Sequence, residues 1–236
     1  ITKHYKTLLQ NVLAPKFTNK TGFMNFYWVK TNWLIKRLFR RYIWSIDTKE
    51  RAVYLTFDDG PIPEITPWVL AQLQKYHCKA TFFCIGDNVA ANPEIIMQIN
   101  SAGHRIGNHT QNHLNGWKTQ NKIYADNIIN CQIELDKVTT TNQLPLLFRP
   151  PYGKIKRSQA KTARHLGYRI VMWDILSADF DTTITKEQCL KNVLTGIRPG
   201  SIIVFHDSKK AFNNLQYVLP KLLEYLQQHN FACKPL

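Results

Sequence analysis

The sequence predicts an α/β fold, a closed or nearly closed barrel of six or seven β-then-α units. Three observations predict it. From residue 51 onward, short apolar, β-favouring runs alternate with segments of helical spacing, an order that implies parallel strands joined by helical crossovers. A polar motif follows nearly every apolar run, and barrels of this kind carry their chemistry where strands end. The chain has 236 residues of which 44% are apolar, enough for a sizeable core in one large domain.

The elements are expected in this order. Residues 1–22 are polar and aperiodic and read as a tail. Residues 23–44 are dense in Phe, Trp, Tyr and Leu. A helix there puts Lys36, Arg37, Arg40 and Arg41 on one face and Leu34, Ile35, Leu38, Phe39, Tyr42 and Ile43 on the other. Such a helix is expected to pack across one end of the domain, and it also suits peripheral contact with an anionic membrane. Val53–Phe57 is the first strand, and a helix over Pro63–Tyr76 follows on the spacing of Ile65, Val69 and Leu73. Ala80–Ile85 is the second strand, then comes a helix over Pro93–Ala102 with proline in its first turn. Arg105–Asn108 is a third strand, followed by a helix near Gln120–Val138. Leu146–Phe148, Tyr168–Trp173 and Ser201–Phe205 are strands four to six. Helices near Ser158–Leu166, Lys186–Gly196 and Leu215–Gln228 follow them, and Gly167 stops the first of these. Phe231–Lys234 reads as a short seventh strand. The division is therefore an extension over 1–50 and a catalytic domain over 51–236.

Lys plus Arg number 31 against 16 Asp plus Glu, a formal charge of +15. That balance implies acidic company such as phosphate, an anionic glycan or a membrane surface. The chain lacks long basic tracts, zinc-finger spacing and RNA-recognition motifs, so nucleic acid is not expected. Five widely spaced cysteines without a Cys-x-x-Cys argue against a disulfide framework and a thiolate metal site, and Cys84 reads as a buried thiol. Nothing reads as a signal peptide, and no apolar run approaches the ~20 residues of a membrane span. The chain opens at Ile1 rather than Met, so an upstream leader is expected to be missing. A monomer, cytoplasmic or peripheral to a membrane, is expected.

Five motifs end the apolar runs: Thr56-Phe57-Asp58-Asp59-Gly60, His109-Thr110-Gln111-Asn112-His113, Arg149-Pro150-Pro151-Tyr152-Gly153, Trp173-Asp174 through Asp179-Phe180, and Phe205-His206-Asp207. His109 and His113 at i, i+4 can share one face of a helical turn and reach one ion, with Asp59 as the third ligand. Two imidazoles and a carboxylate suit catalytic zinc, and equally non-haem iron; the neighbours favour hydrolysis. Asp58 is placed to remove a proton from water, an effect of ~10²–10⁴ in rate. Arg149 is expected to orient Asp58 through its planar fork. The Tyr152 amide is expected to face a developing oxyanion. His206 is placed to protonate a leaving amine, with Asp179 holding its ring. Asp207 is expected to cap a helix, with a supporting place behind the site's ligands and base as the alternative. Tyr152, Trp173, Phe180 and Val204 are expected to bind substrate, and Trp117 to stack on a sugar ring.

Taken together, Asp58-Asp59, His109-Thr110-x-x-His113, Arg149-Pro-Pro-Tyr-Gly, Asp179 and His206 resemble the polysaccharide deacetylases of the NodB-homology class, carbohydrate esterase family 4, over roughly residues 51–236. The resemblance implies a distorted, TIM-like (β/α) barrel of about seven strands. It implies a divalent metal, Zn2+ or a substitute such as Co2+, and removal of N-acetyl groups from N-acetylglucosamine polymers such as chitin, its oligomers or peptidoglycan. It puts the base on Asp58, the ligands on Asp59, His109 and His113, and the acid on His206. Arg149, Tyr152 and Asp179 take its supporting roles. Leu176 replaces a carboxylate of the fourth motif, and Phe180 replaces its usual Trp. Competing readings are the same chemistry on acetylated xylan, a formylated aminosugar lipid or a small amide, and a non-catalytic glycan-binding module.

Overall fold

The structure is a computed structural model that describes residues 28–139 and 144–236. The expected tail over 1–22 and the start of the aromatic segment lie outside the described residues.

Eight strands form one parallel arrangement. They are β1 (Ala52–Asp58), β2 (Ala80–Cys84), β3 (Arg105–Asn108), β4 (Leu147–Phe148), β5 (Arg169–Ile170), β6 (Ile175–Leu176), β7 (Ile202–His206) and β8 (Ala232–Cys233). Seven follow one path, β5-β4-β3-β2-β1-β7-β6, and β8 pairs with β1 alongside it. Helices α1 (Trp33–Leu38), α2 (Ile65–Lys75), α3 (Gly86–Ala91), α4 (Pro93–Ser101), α5 (Asn121–Val138), α6 (Arg157–His165), α7 (Lys186–Leu194) and α8 (Phe212–Gln228), with short 3-10 turns at Gly116–Lys118 and Pro151–Gly153, complete the described elements. The result is a curled, distorted (β/α)7 barrel. Among the described residues no helix is long and apolar enough to cross a membrane.

Pleating sorts the side chains. Val53, Leu55 and Phe57 of β1 join Ile203 and Phe205 of β7 in the large core under α2, α4, α7 and α8. The alternate residues Thr56, Asp58, Val204 and His206 face the other way, into the barrel. Both faces of β1 are buried, which is why it reads as an apolar run interrupted only by Thr56 before its terminal Asp58. All five cysteines are free and buried.

The barrel's open edge lies between β5 and β6, and the N-terminal segment fills it. Ile43 bridges Val171, Ser45 bridges Ser201 and Lys30 bridges Ile175. The expected helix across residues 34–43 ends early, at Leu38. The Trp44 Nε1–H takes the Phe39 carbonyl, and the Ile43 backbone is claimed by Ile170 and Met172, so the chain turns into the sheet. Arg40 and Arg41 therefore lie in a turn, while Lys36 reaches Asp174 in the interior.

Three elements differ from expectation. Helix α3 was not anticipated; it is a six-residue turn with no apolar period. Strand β6 has two residues, too few for a period to show. The expected strand Tyr168–Trp173 pairs with β4 only at Arg169–Ile170, because β4 itself ends at Phe148.

Candidate active site

Asp58 is the last residue of β1 and Asp59 the first beyond it, in the left-handed region at φ 80°. That turn is held from three sides. Asn88 Nδ2 donates to the Asp59 carbonyl at 2.7 Å, and the Gly60 amide donates to Asp207 Oδ1 at 3.1 Å. Thr66 Oγ1 donates to the other Asp207 oxygen at 2.5 Å. A Cβ on residue 60 would meet Asp207 Oδ2 at 2.1 Å, so only glycine fits there. Asp207 is therefore not a helix cap: α8 begins only at Phe212, out of its reach, and the carboxyl instead anchors the catalytic turn. Burial pushes Asp207 up to about 7, with the Asp59 and Asp58 charges adding to the rise and the Thr66 hydroxyl opposing it.

Residues 109–113 form a loop rather than the expected helical turn, with Thr110 and His113 at φ 68° and 58°. Asparagines shape it. Asn108 Oδ1 accepts from the Thr110 amide at 2.9 Å, and Asn127 Oδ1 accepts from the Gln111 amide at 2.9 Å. The two imidazoles are thereby brought to 5.1 Å between centroids. His109 Nε2 lies 3.6 Å and His113 Nε2 3.2 Å from Asp59 Oδ1. Ligand atoms of all three residues fall within 4.8 Å of one another.

These residues fit a cation. Asp59 Oδ1 is buried and has no hydrogen-bond partner, an expensive state for a carboxylate oxygen unless an ion completes it. Burial alone would raise the Asp59 pKa, but the two imidazoles and His206 outweigh it and hold the carboxyl ionised. The far nitrogens are committed. His109 Nδ1 lies 2.7 Å from the Arg149 carbonyl, which can only accept, so Nδ1 carries a proton and Nε2 is the nitrogen left facing Asp59. His113 Nδ1 lies 3.1 Å from the Tyr152 hydroxyl.

Arg149 is wholly buried and links two parts of the site. Its carbonyl orients His109, while its Nη1 donates to Asp58 Oδ1 at 2.6 Å and to Thr56 Oγ1 at 2.7 Å. Nη2 donates to the Met172 carbonyl at 2.9 Å, and the guanidinium lies over the Phe83 ring at 4.2 Å. Burial pulls the Arg149 pKa down, and the Asp58 charge works against that fall.

Asp58 and His206 are register partners on adjacent strands β1 and β7, so both open on the same end of the barrel. His206 Nδ1 lies 2.8 Å from Asp179 Oδ1, and its amide donates to Asp179 Oδ2 at 2.8 Å. Burial would lower the imidazole pKa, but Asp179 outweighs it and raises it to about 9. His206 is thus a cation at neutral pH.

The aromatic residues surround this centre. Tyr152, at φ 60° in the Pro151–Gly153 turn, packs on His113 at 4.5 Å. The Gly153 and Lys154 amides are used by the Pro150 and Pro151 carbonyls, and the Tyr152 amide lies outside that pair. Gly153, at φ 66°, lets the Trp173 ring approach to 2.7 Å from where a Cβ would be. Trp173, Tyr152 and the exposed Trp117 line one cavity. Phe180 meets His206 edge-on at 5.0 Å, and Val204 lies buried two residues before His206 on the same strand face. Sequence reasoning missed Asn88, Asn108, Asn127 and Thr56. Asn108 and Thr56 left a signal, each a polar residue in an apolar strand just before a site residue.

Such a site, a cation cradle flanked by a carboxylate–guanidinium pair and a carboxylate–imidazole pair, defines a metal-assisted hydrolase. Residues 45–171 match the polysaccharide deacetylase family. The chain is 34% identical over 189 residues to a peptidoglycan-N-acetylglucosamine deacetylase of Bacillus cereus, covering 80% of this chain and 87% of that protein. It is 34% identical over 201 residues to a chitooligosaccharide deacetylase of Bradyrhizobium sp., covering 79% and 89%. The crystal structure of a peptidoglycan N-acetylglucosamine deacetylase in complex with 4-naphthalen-1-yl-N-oxidanyl-benzamide superposes with a TM-score of 0.79 at 31% identity, over 87% of this chain and 95% of that one. This chain belongs to the polysaccharide deacetylase family, and it is an enzyme that hydrolyses N-acetyl amide bonds.

Proposed function

We propose that this protein removes N-acetyl groups from N-acetylglucosamine-containing glycans, peptidoglycan or chitooligosaccharide, releasing acetate. Asp59, His109 and His113 would hold the divalent cation, Zn2+ by preference and Co2+ as a substitute. Bound there, it supplies Lewis acidity toward the acetyl carbonyl. Asp58, aimed by Arg149, takes a proton from the attacking water. The Tyr152 amide donates to the oxyanion as charge develops. His206, cationic through Asp179, gives its proton to the departing amine, and acetate leaves. The observation that carries this reading is the partnerless Asp59 Oδ1 facing two imidazole nitrogens whose opposite nitrogens are already committed.

The test is acetate release from defined oligomers of both glycans, before and after exhaustive chelation and again after adding Zn2+. Activity is expected to vanish on chelation and return with the metal. Full activity in the chelated enzyme would sink the reading. The catalytic unit is taken as 51–236, with 1–50 as an extension. Because one chain supplies every group of the site, the enzyme is taken to act as a monomer, which light scattering checks. Exposed Trp33, Leu34 and Leu38 beside Arg37 support peripheral membrane contact through residues 23–44, which sedimentation with anionic vesicles checks.

A further inference from the structure

One groove adjoins the catalytic rim and a second continues from it, and the reaction derived above does not use the cations of either. The first, about 440 Å3, is lined by Trp28, Ile35, Trp117, Tyr152, Trp173 and Leu176 among others. The second, about 560 Å3, gathers Arg40, Arg41, Arg157, Lys161, Arg164 and His165. Both volumes fall among those of ligand clefts, roughly 300–1,000 Å3. Tyr152 belongs to the first groove and, through its hydroxyl on His113, to the cation site. Phe39 and Tyr42, stacked at 5.8 Å, border both grooves. A polymer seated at the catalytic centre and running past Tyr152 therefore meets aromatic surface first and basic surface next.

The basic groove is built from two directions. Arg157, Lys161 and Arg164 recur at i, i+4 and i+7, which places them on one face of α6. Arg40 and Arg41 come from the turn after α1. No acidic residue lines either groove. Among the described residues none of these five cations forms an ion pair, whereas Lys30, Lys36 and Arg198 all converge on Asp174. Like charges gathered without a counter-charge repel, and an anion lying among them relieves that repulsion.

We propose that the two grooves form one binding path for an acidic glycan. Sugar rings stack on Trp117, Tyr152 and Trp173, and carboxylates borne by the polymer pair with Arg40, Arg41, Arg157 and Arg164. The inference rests on the deacetylase reading and adds a preference to it: N-acetylglucosamine polymers that carry acidic groups over neutral ones.

The test uses the full chain and two oligomers of equal length, one neutral and one with carboxylates on alternate sugars. Wild type is expected to favour the acidic oligomer about tenfold in kcat/KM, through KM, and to lose most of that preference near 0.5 M salt as the charges are screened. The double variant R40Q/R157Q, at two exposed positions, is expected to cut the preference to about threefold or less. Equal kcat/KM for the two oligomers in wild type, or a preference untouched by the variant, overturns the proposal. Tryptophan fluorescence titration with the same oligomers reads the groove without turnover. Selective binding without acetate release would keep the groove and defeat the deacetylase reading; binding of neither oligomer defeats the groove. If R40Q/R157Q instead loses affinity for phosphatidylglycerol vesicles while its oligomer preference stands, the groove serves a lipid surface and the proposal fails.

Discussion

Asp58 and Asp174 are both buried carboxylates at the ends of apolar runs, and each faces cations: wholly buried Arg149 for the first, cations from partly buried to exposed for the second. Asp58 has one guanidinium, Arg149, on one of its oxygens. Asp174 is saturated: Lys30 and Ser201 donate to Oδ2, and Lys36 and Arg198 to Oδ1. The first pair opens on the barrel rim beside the cation site. The second closes the barrel's open edge by fastening the N-terminal segment over β6. The comparison teaches that a buried acid–base pair marks chemistry only where coordination is left incomplete; where every lone pair is used, the pair is a fastening.

Four experiments sharpen that contrast. The largest effect is expected from Asp58→Asn, which keeps the shape and removes the proposed base. Turnover should fall by about 10²–10⁴, with metal content by mass spectrometry held at the wild-type level. Wild-type rates in that variant would remove Asp58 from the reaction. Next is Asp174→Asn, which leaves Lys36 and Lys30 without their counter-charge. Breaking a buried pair costs about 3–5 kcal/mol, and because Lys30 is partly hydrated about 2–3 kcal/mol is expected here. At ~2–4 °C per kcal/mol for a chain of this size, the melting temperature drops by about 5–10 °C. Burial would raise the Asp174 pKa, but Lys30 and Lys36 outweigh it and lower it. Its stabilisation is therefore present above the ordinary carboxylate range and fades as pH falls through the lowered value, so the gap between variant and wild type should close in acid. An unchanged melting curve at neutral pH would show that the fastening does not hold the seam.

A smaller effect is expected from Asp179→Asn. With His206 raised to about 9, the acid form persists through neutral pH, and activity is lost as pH rises through that value. A bound dication shifts this limb downward by repulsion. The stability from the His206–Asp179 pair has the same sign: complete below the ordinary histidine range, lost as pH rises through about 9. Removing the Asp179 charge should move the alkaline limb of kcat down by about 1 unit or more. A limb that stays put would dissociate Asp179 from the acid. The smallest effect is expected from Asp207→Asn. Asp207 is raised to about 7, so the fold loses stability as pH rises from the ordinary carboxylate range through that value, and the ionised form does not support it. The variant, still able to accept from the Gly60 amide, should lie within about 1 kcal/mol of wild type at pH 6 and gain on it at pH 8. A growing deficit at pH 8, seen by urea titration, would show that the charged form supports the turn.

Much of the architecture was legible because β1, β2 and β7 are long enough to show their composition, and because the helices between them carry clear apolar periods. Strands β4 to β6 have two paired residues each and leave no period to read. The reach of α1 was overestimated because its apolar stripe continues through Tyr42 and Ile43, yet those residues are drawn into the sheet by Ile170 and Met172. At the site, Asp59, His109 and His113 do meet, though through a left-handed loop rather than a helical turn, since the i, i+4 spacing alone does not specify the backbone. An Asp just past a strand end, as Asp207 is, suits a helix cap as well as an anchor behind the site. Only the packing of Thr66 and Gly60 against it shows an anchor.

Residue type and the order of motifs by themselves determined the barrel class, the set of ligands and the acids and bases, because metal affinity, proton affinity and strand propensity belong to the side chains and their neighbours. Only the tertiary structure decided which buried carboxylate is left open and which is tied off. It also decided how the N-terminal segment closes the sheet and how the arginines of α6 and of the turn after α1 come to share one groove. Those outcomes depend on residues more than a hundred positions apart becoming neighbours, and no local pattern encodes such a distance.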